Sequence, residues 1–113
     1  MAQAIDQFLR ERDWGKTRTP KDMAMDLSIE ANEALECLLW LPENEPLSEG
    51  RKQDLALELA DVLHALVKLA DYFEIELDEV FYHKLEILSK RYPPEEVRGQ
   101  HTYDFKRQKG LKT

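Results

Sequence analysis

The chain has a single cysteine, Cys37, so no disulfide within the chain can brace the fold. Sparse cysteine fits a reducing compartment. No apolar run approaches the roughly 18 residues that a membrane span needs. The first fifteen residues carry Asp6, Arg10, Glu11, Arg12 and Asp13, which leaves no apolar centre for a secretory leader. These absences set the expectation of a soluble, cytoplasmic protein with no membrane partner. Basic charge is also short: 16 Lys and Arg face 23 Asp and Glu, a net charge of -7. Phosphate neutralisation supplies most of the affinity for a nucleic-acid polymer, so such a polymer is not expected as a partner. A small polyphosphate remains possible where metal ions bridge acid to acid. The basic residues that exist gather late. Over residues 98–113, Arg98, Lys106, Arg107, Lys109 and Lys112 face only Asp104, and residues 96–113 are expected to form a basic C-terminal tail.

With 113 residues the chain is one domain's worth, able to bury roughly two-thirds of the surface its unfolded form exposes. Alternating strand patterns are absent, and the few glycines and prolines punctuate four helical segments. The first covers about residues 3–13 and breaks at "DWGKTRTPKD". Thr19 followed by Pro20 predicts a helix start, a hydroxyl cap with proline at the first helical position. That second helix is expected to reach Trp40, before the loop "LPENEPLSEG". A third covers 51–73, and a fourth starts near Asp78 as its N-cap and ends before Pro93. The fold class is all-α, a four-helix antiparallel arrangement within residues 1–95.

At about 100° per residue, Leu55, Leu59, Val62, Leu63, Leu66, Leu69, Ala70 and Phe73 share one broad stripe of the third helix. Glu58 lies at its edge and Asp61 one step beyond. On the second helix Met23, Leu27, Ala34 and Leu38 form one apolar side, Ile29 and Trp40 another, with Glu30 and Glu33 between them. A helix that is apolar on both flanks calls for cover on both, and a second copy of the chain can supply it.

Two acid pairs therefore lie beside apolar seams: E-x-x-E at Glu30 and Glu33, then E-x-x-D at Glu58 and Asp61. One such pair means little, because glutamate is a good helix former. Two pairs on helices folded against each other would crowd four carboxylates together. Some would then hold protons, unless a hard divalent cation relieved the repulsion. Magnesium, with its preference for oxygen ligands and substrate phosphates, suits that role.

The spacing of these pairs, with 24 residues between Glu33 and Glu58, resembles the signature of MazG-like nucleoside triphosphate pyrophosphohydrolases. "RDWGKTRTPKDMAMDLSIEANEALECLLW", "ELADVLHALVKLAD" and "KLEILSKRYP" are similar to the small dCTP pyrophosphatase branch, over about residues 8–93. The resemblance implies a MazG-like helical bundle completed by homo-oligomerisation, as a homodimer or homotetramer. It also implies magnesium-dependent hydrolysis of a (deoxy)nucleoside triphosphate, dCTP or a modified dCTP, to monophosphate and pyrophosphate, as nucleotide-pool housecleaning. Glu30, Glu33, Glu58 and Asp61 would hold Mg2+, with Glu33 orienting the attacking water. Trp14, Trp40 and Tyr92 match positions around the nucleobase, and Lys84, Lys90 and Arg91 are candidates for the phosphates. Ala65 and Leu88 depart from the tyrosine and asparagine that relatives often carry there, which removes two hydrogen-bonding groups near the nucleotide.

Two other classes compete. Asp61-x-x-His64 resembles half of the Glu-x-x-His pattern of di-iron carboxylate bundles, although its angle points His64 away from the apolar stripe, toward solvent. A non-enzymatic helical dimer that binds a partner protein through its acidic faces is the third reading.

Overall fold

The computed structural model describes residues 1–14 and 19–99. All regular structure among them is helical: α1 (Ala2–Glu11), α2 (Pro20–Glu36), α3 (Glu49–Tyr72), α4 (Leu77–Arg91) and a short α5 (Pro94–Val97). Met1–Glu76 form one compact unit, and a second begins at Leu77. Most of the expected tail lies outside the described residues. No helix among those described is long and apolar enough to cross a membrane.

The start of α2 follows its chemistry. The Thr19 hydroxyl accepts from the Asp22 amide at 3.1 Å, and the Asp22 carboxylate accepts from the Thr19 amide at 3.5 Å. This reciprocal box satisfies two of the four amides a helix start leaves open, and Pro20 needs no such partner. Ser48 caps α3 in the same manner, accepting from the Arg51 amide at 3.3 Å.

The helix ends hold two surprises. α1 and α3 both close with a residue in the left-handed region, Asp13 (φ 54°) and Glu74 (φ 55°). At α3, Ile75 donates to the Ala70 carbonyl at 2.9 Å and Glu74 to Asp71 at 3.0 Å. At α1, Trp14 donates to Leu9 at 3.0 Å and Asp13 to Arg10 at 3.1 Å. Both are the paired closure of a Schellman motif, with an acid where glycine is usual. The second helix stops at Glu36 and does not reach Trp40. There the bonds tighten: Cys37 donates to Ala34, Leu38 to Leu35 and Leu41 to Leu38. These three-residue steps wind the chain off the helix axis and put Trp40 in the following turn. Asp78 falls inside the first turn of α4 and not at its cap, where its charge complements the helix dipole.

Within the first unit α2 and α3 form a hairpin against which α1 packs. The seam follows the spacing of alternating three and four residues: Met23, Leu27, Glu30 and Ala34 on α2 with Cys37 at its cap, and Leu55, Glu58, Val62, Ala65 and Leu69 on α3. All ten are buried or half-buried. The leucine-rich stripe expected on α3 is thus only partly the core face. Leu59, Leu63, Leu66 and Phe73 are exposed, whereas Ala65, Val67 and Ala70 are buried. Small residues let neighbouring helices approach closely, and the leucines fall on a side that the described residues leave uncovered. Ile29 and Trp40 are likewise exposed, Trp40 at 85%. His64 does not face open solvent. It is half-buried, its ring edge-on to Phe8 of α1 at 5.9 Å, because α1 covers that flank of α3.

Candidate functional site

Glu30 and Glu33 come from α2 and Glu58 from α3. One carboxylate oxygen of each lies within 4.8 Å of the others. The seam explains the convergence: Glu30 and Glu58 occupy rows that face the opposite helix, and Glu33 stands one turn after Glu30, beside them. All three are half-buried, and the Oε2 atoms of Glu30 and Glu58 are closed to solvent without a hydrogen-bond partner. Carboxylate oxygens only accept, so facing acids cannot satisfy one another unless one keeps a proton.

The electrostatics follow. Burial raises the Glu30 carboxyl above its ordinary range, with the charges of Glu33, Asp61 and Glu58 adding to the rise. Burial likewise raises Glu58, helped by Glu33, Asp61 and Asp54. Asp61 itself is exposed and outside the tight group, so it contributes charge at longer range. The donor set fits a hard divalent cation. It is built of oxygen alone, it gathers negative charge, and it holds two buried oxygens with nothing to donate to them. No histidine or cysteine belongs to it among the described residues.

Two clefts open beside the acids. One, of about 430 Å³, is lined by Glu33, Glu36, Cys37, Asp54, Leu57 and Glu58. The other, of about 210 Å³, is lined by Glu36, Cys37, Trp40, Arg51 and Asp54. Late residues of α2 thus meet early residues of α3, which makes the hairpin antiparallel. The Cys37 thiol donates to the Glu33 carbonyl at 3.7 Å, on the wall between the two clefts. Glu36, Arg51 and Asp54 were not among the expected site residues. A signal for two of them was present: Glu36 is three residues after Glu33 and Asp54 four before Glu58, so each continues an acid pair along one helix face.

The remaining candidates are dispersed. Trp14 sits edge-on to Phe8 at 5.9 Å and lines a different cleft, of about 290 Å³, with Leu9, Met23, Lys68 and Tyr72. Trp40 and Trp14 therefore line different clefts. In the second unit Lys84, Lys90 and Arg91 lie on α4, the last two in its final turn. Lys90 lines a groove with Tyr82, Leu85, Glu86 and Ser89. Tyr92 follows α4 directly, its amide donating to the Leu88 carbonyl at 2.8 Å.

Fold and site together define an all-α protein with a cluster of three carboxylates set into a helical hairpin. The structure superposes on the crystal structure of a pyrophosphatase from Archaeoglobus fulgidus with a TM-score of 0.74 and 35% identity, over 80% of this chain and 87% of that one. Bovine dCTP pyrophosphatase 1 is 32% identical over 97 residues, or 82% of this chain, and the human protein of that name 33% over 91 residues. The chain spans 57% of the bovine protein's length and 54% of the human one's. No protein-family model matches the sequence. The chain belongs to the MazG-like pyrophosphohydrolase family, and within it is similar to dCTP pyrophosphatase 1.

Proposed function

We propose that the protein hydrolyses a (deoxy)nucleoside triphosphate, dCTP or a modified dCTP foremost, to the monophosphate and pyrophosphate, as a nucleotide-pool housecleaning enzyme. The observation that carries this is the convergence of Glu30, Glu33 and Glu58 with two buried, partnerless oxygens. Mg2+ is the proposed cofactor, held by these three acids with Asp61 at the rim. When bound, the cation offsets triphosphate charge and the charge that develops as pyrophosphate leaves.

The chain's own groups then divide the work. Glu33 orients the attacking water and accepts its proton at a carboxylate oxygen, so that hydroxide adds to the α-phosphorus as the bond to the β-phosphate oxygen breaks. Of the aromatic residues expected at the base, Trp40, whose cleft adjoins the acids, is assigned to it, where stacking contributes roughly 1–3 kcal/mol per ring. A homodimer or homotetramer is part of the proposal, supported by the exposed side chains of Ile29, Leu59, Leu63, Leu66 and Phe73. Exposed apolar faces on one helix side are a common feature of association surfaces.

The test is incubation with each of the common nucleoside triphosphates, dUTP and 5-methyl-dCTP, with magnesium or with EDTA, resolving pyrophosphate from orthophosphate. Magnesium-dependent pyrophosphate release supports the reading. Orthophosphate release, or turnover unchanged by EDTA, contradicts it.

A further inference from the structure

The smaller cleft contains a combination that metal binding does not use. Trp40 offers an exposed aromatic face, Arg51 a guanidinium and Asp54 a carboxylate. Neither the Arg51 guanidinium nor the Asp54 carboxylate takes part in a hydrogen bond or ion pair among the described residues, the Arg51 backbone amide alone serving the Ser48 cap. The other carboxylate of the cleft, Glu36, already accepts from the Asn32 amide at 3.4 Å. At about 210 Å³ the cleft is smaller than the roughly 300–1,000 Å³ of a site that encloses a whole drug-sized ligand. It suits one end of a ligand.

Its position says which end. The cleft shares Glu36, Cys37 and Asp54 with the cleft beside the acids. Arg51 precedes Glu58 by seven residues on α3, about 10 Å along the helix axis. A nucleotide with its phosphates at Glu58 and its sugar along α3 would carry its base here.

We propose that Arg51 and Asp54 read the edge of a cytosine stacked on Trp40. This rests on the nucleotide-hydrolysing reading above and adds the residues that set its base preference. A guanidinium is a fixed two-pronged donor that matches two adjacent acceptors. Cytosine presents N3 and O2 side by side, followed at the other end by the N4 amino donor, which a carboxylate accepts. Uracil and thymine alternate acceptor, donor and acceptor, so the fork meets an N–H and Asp54 meets the O4 oxygen. Arg51 donates to N3 and O2, and Asp54 accepts from N4. Guanine, with N7 and O6 beside N1–H, is the rival pattern that the assay has to include.

The experiment compares kcat and KM for dCTP, dUTP, dTTP and dGTP in the wild-type protein, Asp54→Asn and Arg51→Leu. Quenching of tryptophan fluorescence by dCMP and dUMP provides a second readout that needs no turnover. Asp54→Asn, whose amide can donate to O4, should lower the dCTP to dUTP ratio of kcat/KM by roughly tenfold. Arg51→Leu should raise KM for dCTP by a similar factor, leave kcat in place and spare dUTP. Equal losses on all four substrates would mean that Arg51 holds phosphate, and would overturn the proposal. So would unchanged selectivity in both variants, or a wild-type preference for dGTP. Absence of turnover in the wild-type protein is a failure of the hydrolase reading alone. The base site then stands if dCMP quenches more strongly than dUMP and Asp54→Asn abolishes the difference, and falls if it does not.

Discussion

Replacing Glu33 by Gln should push stability and activity in opposite directions. Glu33 is the charge that both raised carboxyls feel: it contributes to the rise of Glu30 and, more strongly than any other neighbouring charge, to that of Glu58. For the Glu30–Glu33 pair, two unit charges within 4.8 Å of each other repel by about 0.9 kcal/mol at that outer limit and at the water-like end of the dielectric range. The half-exposed setting keeps the value near that end. The metal-free Glu33→Gln protein should therefore be more stable than wild type near pH 7 by somewhat under 1 kcal/mol. The sign follows from proton linkage. A carboxyl whose folded-state pKa is raised binds its proton more tightly in the folded protein, so stability falls as pH rises from the unfolded value to the folded one. Wild type should lose stability across that interval and the variant should lose less. With magnesium the order should reverse. A ligand at 100 times its Kd adds about 2.7 kcal/mol to the folded state that binds it, and the variant forfeits part of that gain. Pyrophosphate release should fall by roughly 100-fold or more. Urea titrations at pH 4 to 8, with magnesium or EDTA, read the stabilities, and a pyrophosphate-release assay reads the activity. A metal-free variant less stable than wild type at pH 7 would refute the electrostatic account, as would an equal gain from magnesium in both proteins.

Other outcomes follow from single features. Thr19→Ala removes the reciprocal cap of α2 and should cost about 1 kcal/mol, visible as a lower urea midpoint with an unchanged slope. Glu74→Gly relieves a left-handed backbone at the end of α3 and should raise stability by about 0.5–1 kcal/mol; a lower Tm would contradict the Schellman closure. Trp40→Ala should reduce kcat/KM roughly 5- to 150-fold, the equivalent of 1–3 kcal/mol of stacking, with helix content by circular dichroism unchanged. Leu66→Asp places a charge on the uncovered face of α3 and should shift the protein to a smaller species in light scattering. An unaltered mass would locate the association surface elsewhere.

How far the sequence carried these features depended on how local they were. The cap at Thr19 was legible because its whole chemistry lies within four residues. The acid pairs were legible because their spacing is periodic. The end of α2 was not, since nothing in "ECLLW" forbids another helical turn and the tighter bonds that stop it belong to the loop beyond. Neither were the ends at Asp13 and Glu74, for the residue that usually marks such an end is glycine. The face of α3 misled for a different reason. Its leucines form a convincing stripe, yet hydrophobicity does not say which apolar side meets the chain's own α2 and which is left for another surface. The buried contact instead uses alanines and valine, and it brings Phe8 onto His64. The same ambiguity set Glu58 at the stripe's edge when it belongs to the seam itself.

That seam has a cost for the folded chain. At Glu30 and Glu58 an uninterrupted pair of helices would carry leucine or isoleucine, and the two glutamates are the only acids among its ten positions. Filling both positions with leucine would complete the packing and yield a hairpin sturdier than the natural one, but inert. Selection for robustness alone would erase these residues, so on the proposed role of Glu30 and Glu58 the chain trades durability for chemistry at two points of one interface.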